Sequence, residues 1–113
     1  MNPINLKKEA SKLIELNKYP IIATMNNYDF TLIKAEKRTL DFHSHENTDE
    51  VFFIVEGKMK LEFKNRIVEL QEGDIFVVPK GVEHRPICDT KVTCMLIEPN
   101  GTLSPGNTGG SYK

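Results

Sequence analysis

From residue 20 to residue 98 the apolar residues come in short runs or in strict alternation with polar ones, broken about every ten residues by glycine or asparagine. KMKLEF (58–63) is the cleanest case: Met59, Leu61 and Phe63 alternate with Lys58, Lys60 and Glu62, the signature of a half-buried strand. EVFFIVEG (50–57) is aromatic and β-branched, and Gly57 closes it. PIIATM (20–25) and DFTLIKAE (29–36) flank Asn26-Asn27, a pair suited to a tight hairpin turn. Further strands are expected from Leu40 to His45, over 67–70, over 75–79 and over 91–99, with turns at Lys64-Asn65-Arg66 and Glu72-Gly73-Asp74. Ahead of them, Leu6, Ala10, Leu13 and Ile14 recur at helical spacing, which predicts one amphipathic helix over 3–17 starting at Asn2-Pro3.

The pattern predicts an all-β sandwich or barrel with one short N-terminal helix. We divide the chain into the helix (1–19), a barrel (20–98) and an extended tail (99–113) that holds four glycines and two prolines in its 15 residues. At 113 residues this is one domain with one core.

Fifteen basic and 16 acidic residues leave a formal net charge of −1, so nothing electrostatic points to nucleic acid or to an anionic membrane. No segment approaches the roughly 20 apolar residues of a membrane span, and the N-terminus lacks the apolar run of a signal peptide. The expected location is the cytoplasm, where Cys88 and Cys94 would be free thiols, although two cysteines also permit one disulfide.

The chemistry concentrates in the three histidines, His43, His45 and His84, and one carboxylate, Glu50. On a strand, residues i and i+2 share a face, so His43 and His45 can converge on one ion. Glu50 opens an apolar strand and needs a partner there, either a metal or a base such as Lys34, Lys37 or Arg38. His84 follows Pro79 and the turn at Gly81, and so approaches from a separate strand. Three imidazoles and a carboxylate suit one divalent transition metal ion per chain: iron, manganese, cobalt, nickel or zinc rather than calcium or magnesium. In a six-coordinate ion two positions would stay open to water or substrate.

The spacings His43-x-His45-x4-Glu50-x6-Gly57 and Gly73-x5-Pro79-x-Gly81-x2-His84 resemble the two motifs of the cupin superfamily. Lys37 stands where the first motif opens with glycine, and Cys88 where the second closes with asparagine; neither position is a metal ligand in that family. The resemblance covers residues 37 to 88. It implies a jelly-roll barrel of six to eight strands, the metal inside its mouth, and pairing into a homodimer. It leaves the reaction open, because the family includes oxygenases, isomerases, lyases and sugar-binding modules.

Phe52, Ile54, Met59 and Leu61 are candidates for either the pocket wall or the core. Cys88 shares strand parity with His84 and is a further pocket candidate, though a small buried hydrophobe is its simpler role. Cys94 reads as core, and Arg85, next to an inward histidine, as surface. Glu46 and Glu83 are the acids nearest the motif, but no spacing supports either as a general base, so the catalytic residues stay unassigned. Two readings follow: a metal-dependent enzyme acting on a small organic molecule, of oxygenase, isomerase or lyase type, or a non-catalytic module that binds a sugar or organic acid through the metal.

Overall fold

A computed structural model describes residues 1–102 of the chain. Asn26 and Asn27 both adopt positive φ (48° and 67°), the backbone that a two-residue hairpin turn of matching twist requires. The turn joins β1 (Ile21–Met25) to β2 (Tyr28–Ala35). The remaining strands are β3 (Arg38–Thr39), β4 (Glu50–Glu56), β5 (Lys58–Phe63), β6 (Arg66–Gln71), β7 (Ile75–Val78), β8 (His84–Cys88) and β9 (Val92–Pro99). They form two antiparallel sheets, ordered β1-β2-β9-β4-β7 and β3-β8-β5-β6. The sheets face each other as a jelly roll, and Phe52, Ile54, Met59, Leu61, Leu70 and Leu96 pack between them.

Two expectations are corrected. The helix, α1, spans only Leu6–Lys12, and its cap is Asn5, whose Oδ1 accepts from Lys8 N at 3.0 Å. Leu13 already has extended backbone, so Ile14 leaves the helical face and is 84% exposed. Residues 40–45 do not form a ladder strand; the regular pairing there is β3, which precedes them, and beyond it His43 makes an isolated bridge to His84. The separate strand expected to carry His84 is β8. It carries Pro86, whose missing N–H argues against a central strand, yet it lies between β3 and β5.

The outer face of the five-stranded sheet is apolar too, and α1 covers part of it. Ala10 is fully buried against Leu32, Val55 and Met95, with Leu6 and Leu13 beside them. Lys34 Nζ donates to Ala10 O at 2.7 Å, which satisfies a carbonyl at the helix C-terminus. Of the expected tail, Pro99 still belongs to β9 and Asn100 N donates to Asn27 O at 2.8 Å; residues 103–113 lie outside the described residues.

Gly57 joins β4 to β5 with φ 82°, and a Cβ there would stand 2.5 Å from Lys91 O. Gly73 also has positive φ (91°) but faces open space. Gly57→Ala is therefore expected to cost at least about 2 kcal/mol, from strain and clash together. Gly73→Ala, which meets strain alone, should cost about 1 kcal/mol. Urea unfolding of both variants checks the order; equal losses would contradict the close approach at Gly57.

Candidate metal centre

His43 and His84 are held to each other by the backbone. His43 N donates to His84 O and His84 N to His43 O, both at 2.9 Å. This reciprocal pair clips the irregular 40–45 segment onto β8. Gly81 N donates to His45 O at 2.9 Å, which fixes the same segment two residues further along. Glu50 comes from the other sheet, as the first residue of β4 opposite Val78. Two sheets thus bring four side chains to one point. The ring centroids of His43 lie 4.6 Å from those of His84 and 5.2 Å from those of His45.

The hydrogen bonds set the tautomers. His43 Nδ1 donates to Asp41 O and His84 Nδ1 donates to Val82 O, each at 2.9 Å. A carbonyl only accepts, so each Nδ1 carries the proton and each Nε2 keeps its lone pair. Glu50 is 2% exposed, and its Oε1 lies 3.1 Å from His84 Nε2 and 3.4 Å from His45 Nε2. Both ring nitrogens of His45 are buried without a hydrogen bond. One donor atom from each of the four residues lies within 4.8 Å of every other. Lone pairs turned toward a carboxylate, and a buried histidine with no hydrogen bond, are what a cation would resolve. This cluster could hold a metal ion.

Burial lowers the His43 pKa below its ordinary value, which keeps that imidazole neutral. Burial alone would raise Glu50, but the close approach of His45 and His84, and of Glu98, outweighs it and brings the carboxylate to about 2. Burial raises Cys88 to about 11 and Cys94 higher still, so both free thiols stay protonated.

A cavity adjoins the cluster between the sheets. Phe52, Met59 and Cys88 line it, whereas Ile54 and Leu61, also pocket candidates from the sequence, do not and are fully buried in the core. Cys94, expected as core, reaches the wall as well. Arg85 faces out: it pairs with Glu62 at 2.7 Å and lies over the Phe42 ring. Glu46 accepts from Ser44 Oγ, and Glu83 is exposed; neither belongs to the cluster. The bases weighed for Glu50 are engaged elsewhere, Lys34 with Ala10 O and Arg38 with Asn17 Oδ1 and Tyr19 Oη. Lys37, at the motif position of a glycine, has φ 52°, so the left-handed backbone is kept although the residue differs.

Sequence reasoning missed Glu98 and the part played by Arg38 and Tyr19. Continuing the register Val51↔Ile97 and Phe52↔Leu96 by one residue puts Glu98 across from Glu50. The signal was available, because Glu98 shares strand parity with Val92, Cys94 and Leu96, which face inward. Glu98 is 1% exposed, and neither carboxyl oxygen has a partner at full hydrogen-bond geometry. Burial, then the charge of Glu50, raises its pKa to about 10.

The consequence for stability has a definite sign. The folded chain holds the Glu98 proton up to about pH 10, whereas an unfolded glutamate releases it near 4.5. Between those values the unfolded state binds fewer protons, so this residue costs stability as pH rises. Glu98→Gln should raise the urea midpoint of chelator-treated protein, with a larger gain at pH 8 than at pH 5. An identical gain at both values would show that Glu98 is not held neutral.

Residues 30–99 match the Cupin domain family. A cupin-2 domain protein of Shewanella frigidimarina has a crystal structure that superposes with a TM-score of 0.81 at 38% identity, over 86% of this chain and 94% of that one. A Neisseria meningitidis protein superposes at 0.77 with 33% identity, over 88% of this chain and all (100%) of that one. Among curated proteins, the chain is 37% identical over 59 residues to YdbB of Bacillus subtilis, 51% of this chain and 52% of that protein. It is 27% identical over 113 aligned positions to a 3-hydroxyanthranilate 3,4-dioxygenase of Burkholderia cenocepacia, 89% of this chain and 63% of that enzyme. The chain thus spans between half and two thirds of the length of these two relatives. With the two-sheet barrel, the paired motifs and a family match across most of the barrel, the chain belongs to the cupin family.

Proposed function

We propose that His43, His45, Glu50 and His84 hold one divalent transition metal ion, and that the chain is an enzyme acting on a small organic molecule in the adjoining cavity. The observation that carries this reading is the convergence of three histidines and a carboxylate, with the lone pairs of His43 and His84 fixed by backbone acceptors and His45 buried without a hydrogen bond. An ion there would offer Lewis-acid chemistry, or oxygen chemistry if it is iron. The chain's own residues do the rest. Asp41 O and Val82 O orient two imidazoles, Glu50 supplies the anionic ligand, and the apolar wall excludes water.

Likeness to a dioxygenase over 89% of this chain favours catalysis, of oxygenase, isomerase or lyase type. The second reading is a module that binds a sugar or organic acid through the metal without turnover. His43 and Glu50 line the cavity, with no further histidine or carboxylate among the described residues that line it, which favours the module. Exposed Ile21, Ile75 and Val77 on the five-stranded sheet are compatible with the expected homodimer. Among the described residues no helix is long and apolar enough to cross a membrane.

Mass spectrometry of metal content decides the central point. Untagged protein purified without chelators should carry near one equivalent of iron, manganese, nickel or zinc. Changing an outer residue that merely orients a ligand commonly weakens metal binding about 10- to 100-fold. His84→Ala, which removes a ligand outright, should lose at least that much. Protein that holds no metal even after supplementation would overturn the reading.

A further inference from the structure

The same cavity contains a fixed positive charge far from the protein surface. Arg38 lies in its wall, is only 3% exposed, and sits opposite Cys88 in the β3–β8 pair. Its guanidinium is held on two sides: Nη1 donates to Asn17 Oδ1 at 3.0 Å and Nη2 to Tyr19 Oη at 2.7 Å. Its Cζ also lies 5.7 Å from the centre of the Tyr19 ring. Both anchors precede the barrel: Asn17 takes the left-handed conformation (φ 61°) and donates its backbone N–H to Lys34 O. The segment between helix and barrel thus fixes the direction of the guanidinium. Tyr19 lines the cavity too. The charge is felt within the wall, where it opposes the upward shift of both Cys88 and Cys94.

We infer that Arg38, oriented by Tyr19 and Asn17, is the recognition group for the carboxylate of a small organic acid, which lies in the cavity between Arg38 and the four-ligand cluster. This rests on the metal reading above for the ligand's far end, and on Arg38 for its near end. A guanidinium presents N–H groups in a planar fork that matches a carboxylate, and it stays charged at every accessible pH. The wall between the two ends is apolar, with Ile33, Phe52, Met59 and Leu96, so the body of the ligand is a short hydrocarbon and not a sugar. With an ion bound, Glu50 offsets one of its two positive charges, and both ends of the cavity favour an anion.

Butyrate and its neutral counterpart butyramide separate charge recognition from shape. Their binding to zinc-supplemented protein can be followed by saturation-transfer proton NMR. Wild-type protein should bind butyrate at least about tenfold more tightly than butyramide, as expected for a charge-assisted hydrogen bond. Arg38→Met should abolish that preference, Arg38→Lys should keep part of it, and Tyr19→Phe should weaken it. Equal binding of acid and amide by wild-type protein would overturn the inference, and that comparison needs no variant to fold. So would a preference that survives Arg38→Met, or the binding of neither compound. Chelator-treated protein distinguishes the two readings. If the preference persists there and depends on Arg38, this inference stands whether or not the chain holds metal. If it vanishes with the metal and ignores Arg38, the carboxylate sits on the ion and only the metal reading survives.

Discussion

A carboxylate buried at 2% exposure between two packed sheets is the constraint around which this barrel is arranged. Removing Glu50 from water without compensation would cost several kcal/mol. The fold meets that cost locally, by bringing His45 and His84 within 3.1–3.4 Å of one oxygen and a second, protonated acid to its flank. Each of these groups occupies the inward parity of its own segment. Shifting any one strand by a single residue would turn its polar group outward and leave Glu50 exposed to an apolar wall. The register of the barrel and the integrity of the cluster are one requirement.

Much of this was legible in the chain. Alternation in KMKLEF, the Asn26-Asn27 turn and the His43–Glu50–Gly57 spacing each report a local, steric preference that survives in the folded molecule. What stayed hidden depended on contacts between distant segments. The central position of β8 was illegible because Pro86 lacks an N–H, and its pairing with β5, which sets Leu61 across from Pro86 and Phe63 across from His84, joins segments distant in the chain. The helix ends at Leu13, whose backbone is already extended, and helical periodicity over Leu6, Ala10, Leu13 and Ile14 carries no sign of that end. Arg38 looked like one base among several near Glu50. Its placement in the cavity wall follows from its two-residue pairing with Ile87 and Cys88.

Glu98 is a different case, since its inward parity was readable in KVTCMLIEP. A lone acid in an apolar strand tends to be read as the strand's end, and Pro99 next to it encourages that. The lesson concerns Lys37 as well. It departs from the family motif in residue type but keeps the left-handed backbone, so a motif written in residue letters misses what the position requires, which is a φ angle.

The four clustered side chains come from both layers, with Glu50 on one sheet and His84 on the other, 34 positions apart in the chain. An ion at their meeting point would act mechanically as a rivet through two plates. It would close a loop that otherwise depends on side-chain packing alone, much as a disulfide does, though reversibly. Loading and unloading such a rivet would set how tightly the two sheets are held to each other where the four side chains meet.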